Sequence, residues 1–582
     1  GALTAGTVTL SNTTGTIAFQ GNTTMTTLNT ANQGYNVSFT GGTNSFTNDV
    51  NFRNTGTVTL GNGGDILTFT GGLATAGNPS NPSGTSVGGT VRTAGQQIDL
   101  GAVTLTNAST IDTSNNGGSP AGAPINIASV TGGGNNLTVR SRTGATTVTG
   151  AVAGVGTLTL HDNVANSTGA MNFQGNLAAT ALVTVAQGYG VSLTGATTTV
   201  TNAAAFSNTG TVTLGDGGDT LIFTGGLTAT APSVVNVNGT VRAAGSASMS
   251  LGDGDTDVAV GGNSTIGGNS TGLVTLGGLV RVASGRTLTL GNGAGTPFST
   301  QGIQGTAASG NLTVNTTGAV TVNGAVGPNI GVVTVTNSGG TTFSGALTAG
   351  TVTLSNTTGT IAFQGNTTIT TLNTAGAGYG VSFTGASSAI TNAAAFNNTG
   401  TVTLGDGAGD VTLFDGGVSF PGNGPVNVAG AVRSSADAMD FGSGAVSLGA
   451  DAILDSTNNG GNPTGANISV GAVSMGVYNL TINTGTWGGL VSGGKITGGN
   501  LRIRSGGSVA ISTAVSAIEI EAGTGINVTE DDNVTIGFSG GFPPDVTGLT
   551  TAGGNLEFRS TGGSITVSEN ISAGGAGNIS IG

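Results

Sequence analysis

Residues 1–31, GALTAGTVTLSNTTGTIAFQGNTTMTTLNTA, decide the fold of this chain, and residues 345–375 repeat them with one change, Met25 to Ile369. Within this segment apolar residues lie two apart in short runs such as TVTL, and Gly, Asn, Ser and Thr separate the runs. Because the side chains of a strand alternate between its two faces, this spacing predicts short strands with one apolar face, joined by tight turns.

The composition indicates a folded chain of strands and excludes several classes of function. Gly contributes 112 of the 582 residues and Pro only 12, charged residues make up 6%, and Cys is absent. An apolar content of 36% opposes disorder, and the scarcity of Pro opposes collagen and polyproline structure. With a net charge of −13, the sequence offers no basic stripe for nucleic acid. It has no apolar run of about 18 residues, so we expect no membrane insertion.

Repetition organises the chain on two scales. The finer unit is about 20 residues long, as in NLTVRSRTGATTVTGAV and NLTVNTTGAVTVNGAV. The coarser unit contains a Gly-Tyr pair at Tyr35, Tyr189 and Tyr379, followed about twenty residues later by TVTLG. We expect these repeats to form one continuous structure cut from a longer chain, rather than separately folding domains. The successive blocks are 1–150, 151–345, 346–499 and 500–582.

A strand pair with one apolar face is not stable alone, because both its edge and its apolar face need a partner. Stacking the successive turns of a coil supplies both and forms a narrow continuous core. The sequence therefore predicts an all-β fold, a right-handed parallel β-helix (β-solenoid) with about 20 residues per coil and with Gly and Asn at its corners. The alternative, a string of β-sandwiches, needs an aromatic core, and only 4% of the residues are aromatic.

The alternation also predicts which side chains point outward and which point inward. Thr7, Thr9, Thr57 and Thr59 should face solvent. Such Thr-x-Thr pairs resemble those of ice-binding solenoids, but they recur here at wide intervals, and β-propensity alone explains them. The residues predicted to point inward are Val8, Leu10, Ile17, Phe19, Val37, Phe39, Val58, Leu60, Leu67 and Phe69.

Units such as AGGNLEFRSTGGSITVSENISAGG, at residues 552–575, resemble the repeats of filamentous-haemagglutinin-like exoproteins, which are large bacterial surface adhesins of two-partner secretion. The resemblance covers most of the chain in the style of its repeats. It implies a right-handed β-helix shaft that is exported to the cell surface and serves adhesion or matrix building. The secretion domain of that family is not recognisable in this sequence, and no binding residue of the family maps onto a numbered position.

Two groups of aspartates are candidate calcium ligands. GDGGDTL, with Asp216 and Asp219, resembles one unit of the RTX calcium nonapeptide, and the pairs Asn62/Asp65 and Asp406/Asp410 are related to it. Those units are isolated, whereas shared calcium sites need consecutive ones. The second group, Asp253, Asp255 and Asp257, has the 1,3,5 carboxylates of a calcium loop without its Gly and final Glu. The alternative interpretation of both groups is a solvated acidic corner, with no cofactor.

Other chemistry-bearing residues give weaker indications. Glu530 and the two aspartates after it are predicted to form a solvated turn, His161 beside Asp162 a surface or corner histidine, and Trp487 a packed corner. Polysaccharide cleavage by a β-helix needs facing carboxylates, which the aspartate groups could supply. No long active-site loop accompanies them, and aromatic residues that stack on sugars are scarce.

These observations favour a non-catalytic protein. We expect the shaft of an extracellular bacterial surface fibre or adhesin that mediates cell-cell, surface or biofilm-matrix contact. Its expected partners are itself, head to tail or within a longer chain, and glycans of a host, a neighbouring cell or a matrix. The alternatives are a polysaccharide-processing β-helix enzyme and a calcium-stabilised surface-layer or matrix component.

Overall fold

The computed structural model describes residues 1–11, 13–161, 165–307, 309–355, 357–538 and 546–582. These residues form no helix, and their strands pair in parallel as the stacked coils of a β-solenoid. The predicted all-β solenoid is thus confirmed. Successive coils lie about 22 residues apart, slightly more than the sequence repeat suggests. The described residues divide into two compact units, residues 1–299 and 300–582.

In the first unit Leu3 pairs with Thr23 and Ser109 with Leu137, and the second of these coils is longer because loops at the corners extend it. The strands of this unit are β1 (Leu3–Leu10), β2 (Thr16–Phe19), β3 (Thr23–Thr30), β4 (Asn36–Phe39), β5 (Thr43–Phe46), β6 (Val50–Asn51), β7 (Thr57–Phe69), β8 (Leu73–Ala74), β9 (Gly84–Thr93), β10 (Ile98–Asp112), β11 (Ile125–Thr131), β12 (Leu137–Arg140), β13 (Thr146–Val148), β14 (Val152–Leu160), β15 (Met171–Phe173), β16 (Leu177–Thr184), β17 (Val191–Leu193), β18 (Thr197–Val200), β19 (Ala204–Ala205), β20 (Val212–Phe223), β21 (Leu227–Ala229), β22 (Val234–Arg242), β23 (Met249–Leu251), β24 (Asp257–Val260), β25 (Ser264–Ile266), β26 (Val274–Leu276), β27 (Val280–Val282), β28 (Thr287–Leu290) and β29 (Phe298–Thr300), which ends at the unit boundary.

In the second unit the coil length varies more, because Leu501 pairs with Ile518 across a short coil, whereas Val534 pairs with Ile565 across a long one. Its strands are β30 (Ile303–Gly305), β31 (Gly310–Asn315), β32 (Val320–Val322), β33 (Val326–Asn337), β34 (Thr341–Phe343), β35 (Leu347–Leu354), β36 (Ile361–Phe363), β37 (Thr367–Thr374), β38 (Val381–Phe383), β39 (Ser387–Ile390), β40 (Ala394–Ala395), β41 (Val402–Leu404), β42 (Val411–Phe414), β43 (Val418–Ser419), β44 (Val426–Arg433), β45 (Met439–Asp440), β46 (Val446–Asp455), β47 (Ile468–Val470), β48 (Val473–Ser474), β49 (Leu480–Asn483), β50 (Leu490–Ser505), β51 (Val509–Ala522), β52 (Ile526–Glu530), β53 (Val534–Ile536), β54 (Leu549–Thr551), β55 (Leu556–Ser560), β56 (Ile565–Val567), β57 (Ile571–Ala573) and β58 (Ile579–Ile581).

Apolar rows stack along the inside of the coils, as the alternation predicts. Of the ten residues predicted inward, the six from Val37 onward are fully buried and Leu10 is nearly so. Val8, Ile17 and Phe19 are only half-buried. They lie on β1 and β2, each of which pairs with a single later strand among the described residues. The inward direction of these three side chains was therefore predicted correctly. They are only half-buried because a coil packs against them on one side and not on the other.

Aromatic rings stack on one another where the same inward position recurs in successive coils. The rings of Phe19 and Phe39 lie 4.6 Å apart and nearly parallel. In the second unit Phe343, Phe363 and Phe383 form a longer column with centroid spacings of 5.3 and 4.7 Å. Such contacts strengthen the core beyond the area that they bury.

A buried tyrosine closes the same corner in each of the three repeats. The hydroxyl of Tyr35 accepts a hydrogen bond from the Ala31 amide (2.9 Å) and donates one to the Leu10 carbonyl (3.1 Å). Tyr189 and Tyr379 make the equivalent pair of bonds. One coil later the side-chain amide of Asn54 donates to the Tyr35 carbonyl at 3.0 Å. The corner thus satisfies buried backbone groups that the strand ladders leave open.

A column of glycines lets the coils approach each other directly after an inward aromatic strand. A Cβ atom placed on Gly365 would lie 2.3 Å from the backbone of Gly345, and one on Gly385 would lie 2.3 Å from the backbone of Gly365. Real Cβ atoms essentially never approach backbone atoms so closely. Gly345, Gly365 and Gly385 therefore recur at 20-residue intervals because successive coils come into backbone contact at this point.

The substitution Gly365→Ala is expected to destabilise the surrounding coils by about 2 kcal/mol, because the added methyl group must push two backbones apart. Gly378→Ala is the matched control, since a Cβ there meets nothing within 4 Å. Urea denaturation of both variants measures the difference. Equal stability of the two variants would show that the coils separate without cost.

Candidate functional site

In each of the predicted acidic corners, an aspartate carboxylate accepts a hydrogen bond from a backbone amide of the same turn. Oδ2 of Asp219 accepts a hydrogen bond from the Asp216 amide at 2.8 Å, and Oδ2 of Asp65 accepts one from the Asn62 amide at 2.9 Å. In the second unit Oδ2 of Asp410 accepts from the Asp406 amide in the same way. Burial raises the pKa of Asp219. At each corner one carboxylate is therefore turned onto backbone amides of the turn.

The loop that contains Asp253 holds two of its three aspartates together. Oδ1 of Asp253 accepts a hydrogen bond from the Asp255 amide at 3.3 Å. Hydrogen bonding from Asp255 lowers the pKa of Asp253, and the contact with Asp253 raises that of Asp255. The third carboxylate, that of Asp257, instead forms an ion pair with Arg281 of the neighbouring strand, with Nε and Oδ2 2.6 Å apart.

Calcium binding at these aspartates stays a prediction. Within the described ranges, no group of three or more His, Cys, Asp or Glu side chains lies close enough to hold a metal ion. Calcium prefers six to eight oxygen ligands. A melting temperature that falls when calcium is chelated would support the calcium-stabilised alternative.

The interpretation of Glu530 as part of a solvated turn was wrong. Its side chain is fully buried, and Oε2 accepts a hydrogen bond from the Thr513 hydroxyl at 2.7 Å. Oε1 accepts from the backbone amides of Val515 and Asp531 at 3.2 and 3.1 Å. Desolvation by burial raises the pKa of Glu530 to about 7, partly offset by the bond from Thr513. Of the three acidic residues in the sequence EDD, Glu530 is therefore part of the protein interior, where its carboxyl group accepts hydrogen bonds from buried groups.

A buried ion pair joins β50 and β51. Nη2 of Arg502 is 2.7 Å from Oε2 of Glu519, and their side chains are only 5% and 1% exposed. Oε1 of Glu519 also accepts a hydrogen bond from the Phe538 amide at 3.1 Å. The guanidinium carbon of Arg502 lies 4.9 Å from the centre of the Phe538 ring. This pair is not among the residues predicted from the sequence, although Arg on β50 and Glu on β51 both alternate with apolar residues in LRIRS and IEIEA.

His161 and Trp487 both occupy corners; His161 has the second of its two predicted placements, whereas the exposure of Trp487 differs from its prediction. His161 is fully buried, with Nε2 3.1 Å from the Gly169 carbonyl oxygen and its ring against Tyr189. Asp162 lies outside the described residues. The indole of Trp487 is 81% exposed, so the predicted packed corner was wrong there.

A groove of about 590 Å³ lies against this corner in the second unit. Its wall is formed where β49, β50, β51 and β54 end, at Asn483, Arg504, Glu521 and Thr551. Nε of Arg504 is 2.9 Å from Oε2 of Glu521, and both side chains are partly exposed. These are the two charged residues that line the groove, and none of the predicted calcium ligands lies there.

The groove offers binding groups rather than an evident catalytic pair. Glycoside hydrolysis needs two carboxylates on opposite sides of the bond that is cleaved. The groove is lined by a single carboxylate, that of Glu521, and a guanidinium neutralises it. The signal that sequence analysis could have used is the single Trp of the chain, placed in the Gly-rich stretch TGTWGGL.

The outward Thr rows lie as predicted. Thr7, Thr9 and Thr57 are exposed, and Thr59 is partly exposed. β-Branched residues suit the outer face of a strand, so these rows need no ligand to explain them.

Comparison of the chain with protein-family models, with curated proteins and with solved structures found no match. Among the described residues no helix is long and apolar enough to cross a membrane. The resemblance to filamentous-haemagglutinin-like repeats therefore stays a prediction from the sequence.

Proposed function

We propose that this chain is the shaft of an extracellular fibre or surface adhesin, of the kind that the resemblance to filamentous-haemagglutinin-like repeats implies, with a mechanical and not a catalytic role. Stacked parallel coils support this role, because each added coil satisfies the backbone groups of the last and extends the same core. The outer surface is poor in charge and rich in Thr, Ser and Asn. Such a surface suits a shaft that holds other parts of a fibre away from the cell better than it suits catalysis.

One observation carries the proposal: the same eight residues, LTAGTVTL, occur in two environments. At residues 347–354 they lie between β33 and β37, and Val352 and Leu354 are buried. At residues 3–10 they pair only with β3 among the described strands, and Val8 is half-buried. The difference comes from the covering coil, since the sequence is identical. The face of β1 and β2 is thus complementary to a coil like that of β33 and β34.

We propose that a coil of a second copy covers this face in the assembled fibre, by strand addition. A heterologous contact of this kind does not close on itself and extends as a filament. We expect negative-stain images of the purified chain at high concentration to show particles joined end to end.

The variant Val8→Lys tests the contact, because it places a charge on the half-buried row without changing the outer surface. We expect this variant to remain as single particles by light scattering. Thr7→Lys, which adds the same charge to an outward position of the same strand, is the matched control and should associate like the parent. Compact single particles of the parent chain at all concentrations would contradict the proposal.

A further inference from the structure

We propose that the groove beside Trp487 is a binding site for a neutral oligosaccharide. This inference is independent of the structural role, since a solenoid that never associates end to end could carry the same groove. It starts from three features of one corner: an exposed indole, an open groove and a wall of hydroxyl and amide groups.

Trp487 belongs to the same turn as Gly485 and Thr486, which line the groove. Trp487 directly follows Thr486, a lining residue, and its backbone nitrogen would lie 2.5 Å from a Cβ on Gly506, which is another lining residue. The Trp487 amide donates a hydrogen bond to the Thr464 carbonyl at 2.9 Å, which fixes the turn while the ring stays 81% exposed. A flat apolar ring held in solvent matches the C–H face of a pyranose.

The wall supplies donors and acceptors in the form that sugar hydroxyls need. Asn483 donates both N–H groups of its side-chain amide within the protein, to Oδ1 of Asp455 (3.1 Å) and to the Thr457 hydroxyl (3.2 Å). Its Oδ1, which accepts one hydrogen bond from the Gly485 amide, is the group that a sugar hydroxyl can meet. Five Ser and Thr residues also line the groove, and two charged residues together with Gly, Ala and Pro residues form the remainder of its wall. A hydroxyl donates one hydrogen bond and accepts others, so it complements both amide and hydroxyl groups.

The net charge of the groove favours a neutral ligand over an anionic one. Arg504 and Glu521 are the charged lining residues, and their 2.9 Å ion pair leaves the groove with no net charge. A polyanion would have to displace Glu521 from Arg504, whereas a neutral sugar can hydrogen-bond to both groups in place. The volume of about 590 Å³ lies within the range of small-ligand sites.

The first repeat block has an equivalent corner in which a bulky side chain replaces the glycine at the groove. The loop TSNNGGSP at residues 113–120 resembles STNNGGNP at 456–463. By strand register, Arg142 in the first block takes the place of Gly485 in the third. The Arg142 side chain is buried, and its Nη1 donates a hydrogen bond to the Ala165 carbonyl at 3.0 Å. The groove at Gly485 is thus a local departure from the repeat, as expected of a specific site.

Because Trp487 is the single tryptophan of the chain, its fluorescence reports on this groove alone. Titration of the full chain with neutral gluco-, manno- and galacto-oligosaccharides should shift the emission to shorter wavelength for at least one of them. Trp487→Ala should weaken the affinity of that sugar about tenfold or more by calorimetry, and Trp487→Phe should retain part of it. Tyr478→Ala, which removes an exposed aromatic ring before the opposite end of β49, should bind like the parent.

Three results would each overturn the inference. The first is no change in emission or heat with any neutral oligosaccharide, and the second is equal affinity of the parent and Trp487→Ala. The third is binding that is confined to an acidic polysaccharide such as polygalacturonate. None of these results bears on end-to-end association, which the Val8→Lys variant tests separately.

Discussion

The substitution Arg502→Ala is expected to destabilise the coils around β50 and β51 by about 3–5 kcal/mol, because it leaves the Glu519 carboxylate buried without its cation. Both side chains are at most 5% exposed, so water cannot replace the lost partner at the 2.7 Å contact. Arg502 also lies over the Phe538 ring, and that contact is lost with it. The expected loss is a large fraction of the stability of a typical domain.

The same two strands contain the control. Arg504 and Glu521 lie two positions further along β50 and β51 in the same register, but their side chains are 39% and 47% exposed. Arg504→Ala is therefore expected to cost less than about 1 kcal/mol, as for other exposed ion pairs. The two variants remove the same group from neighbouring sites that differ mainly in burial.

A double variant separates the loss of the pair from the cost of an unpaired charge. Replacing Arg502 with Met and Glu519 with Leu removes both charges and keeps apolar volume, so it should recover most of the stability that Arg502→Ala loses. Hydrogen exchange of the β50 and β51 amides measures the opening free energy of these coils directly. A cost of Arg502→Ala no greater than that of Arg504→Ala would show that the buried pair is hydrated.

The stability of the coils around Glu530 is expected to fall as the pH rises from about 4.5 to about 7. Burial raises the pKa of this carboxyl group to about 7 in the folded chain, whereas the unfolded chain titrates near its ordinary value. Between these values the folded state keeps a proton that the unfolded state releases, so the free energy of unfolding decreases with pH. Below this window the stabilisation is fully present, and above it the stabilisation is lost.

The expected size of this change is about 3 kcal/mol, from the difference between a pKa of 4.5 in the unfolded chain and about 7 in the folded chain. Burial also raises the pKa of Glu519, which adds a change of the same sign. Asp531 works in the opposite direction and at lower pH, because its contact with the exposed Lys495 lowers its pKa from an ordinary value of 3.8. The observed pH dependence is therefore the sum of several groups, and a variant is needed to isolate the contribution of Glu530.

Glu530→Gln supplies that test, since Gln keeps the shape of the protonated carboxyl group and does not ionise. At pH 8 this variant should be more stable than the parent, and at pH 4.5 the two should be nearly equal. Hydrogen exchange of β51 and β52 at both pH values measures the difference, and Glu521→Gln controls for loss of an exposed carboxylate. An unchanged pH dependence in Glu530→Gln would show that this carboxyl group stays ionised in the interior.

The sequence by itself determined the class of fold and most of its core. Alternation between the two faces of a strand assigns its inward and outward side chains, and repetition from coil to coil requires that equal faces stack. The fully buried Val37, Phe39, Val58 and Leu60 follow from that local rule. Gly was predicted at the corners for its backbone freedom, whereas the close approach of Gly345, Gly365 and Gly385 between coils was seen only in the structure.

Only the tertiary structure decided the features that depend on a particular neighbouring coil. Val8 and Val352 occupy identical sequences, yet only Val352 is covered on both sides. Glu530 was expected in solvent and is buried, whereas Trp487 was expected to be packed and is exposed, because burial at each position depends on the coils that lie above and below it. Those coils vary between repeats, so a pattern within one coil does not contain that information. The groove and the buried charges therefore emerged only when the coils were stacked.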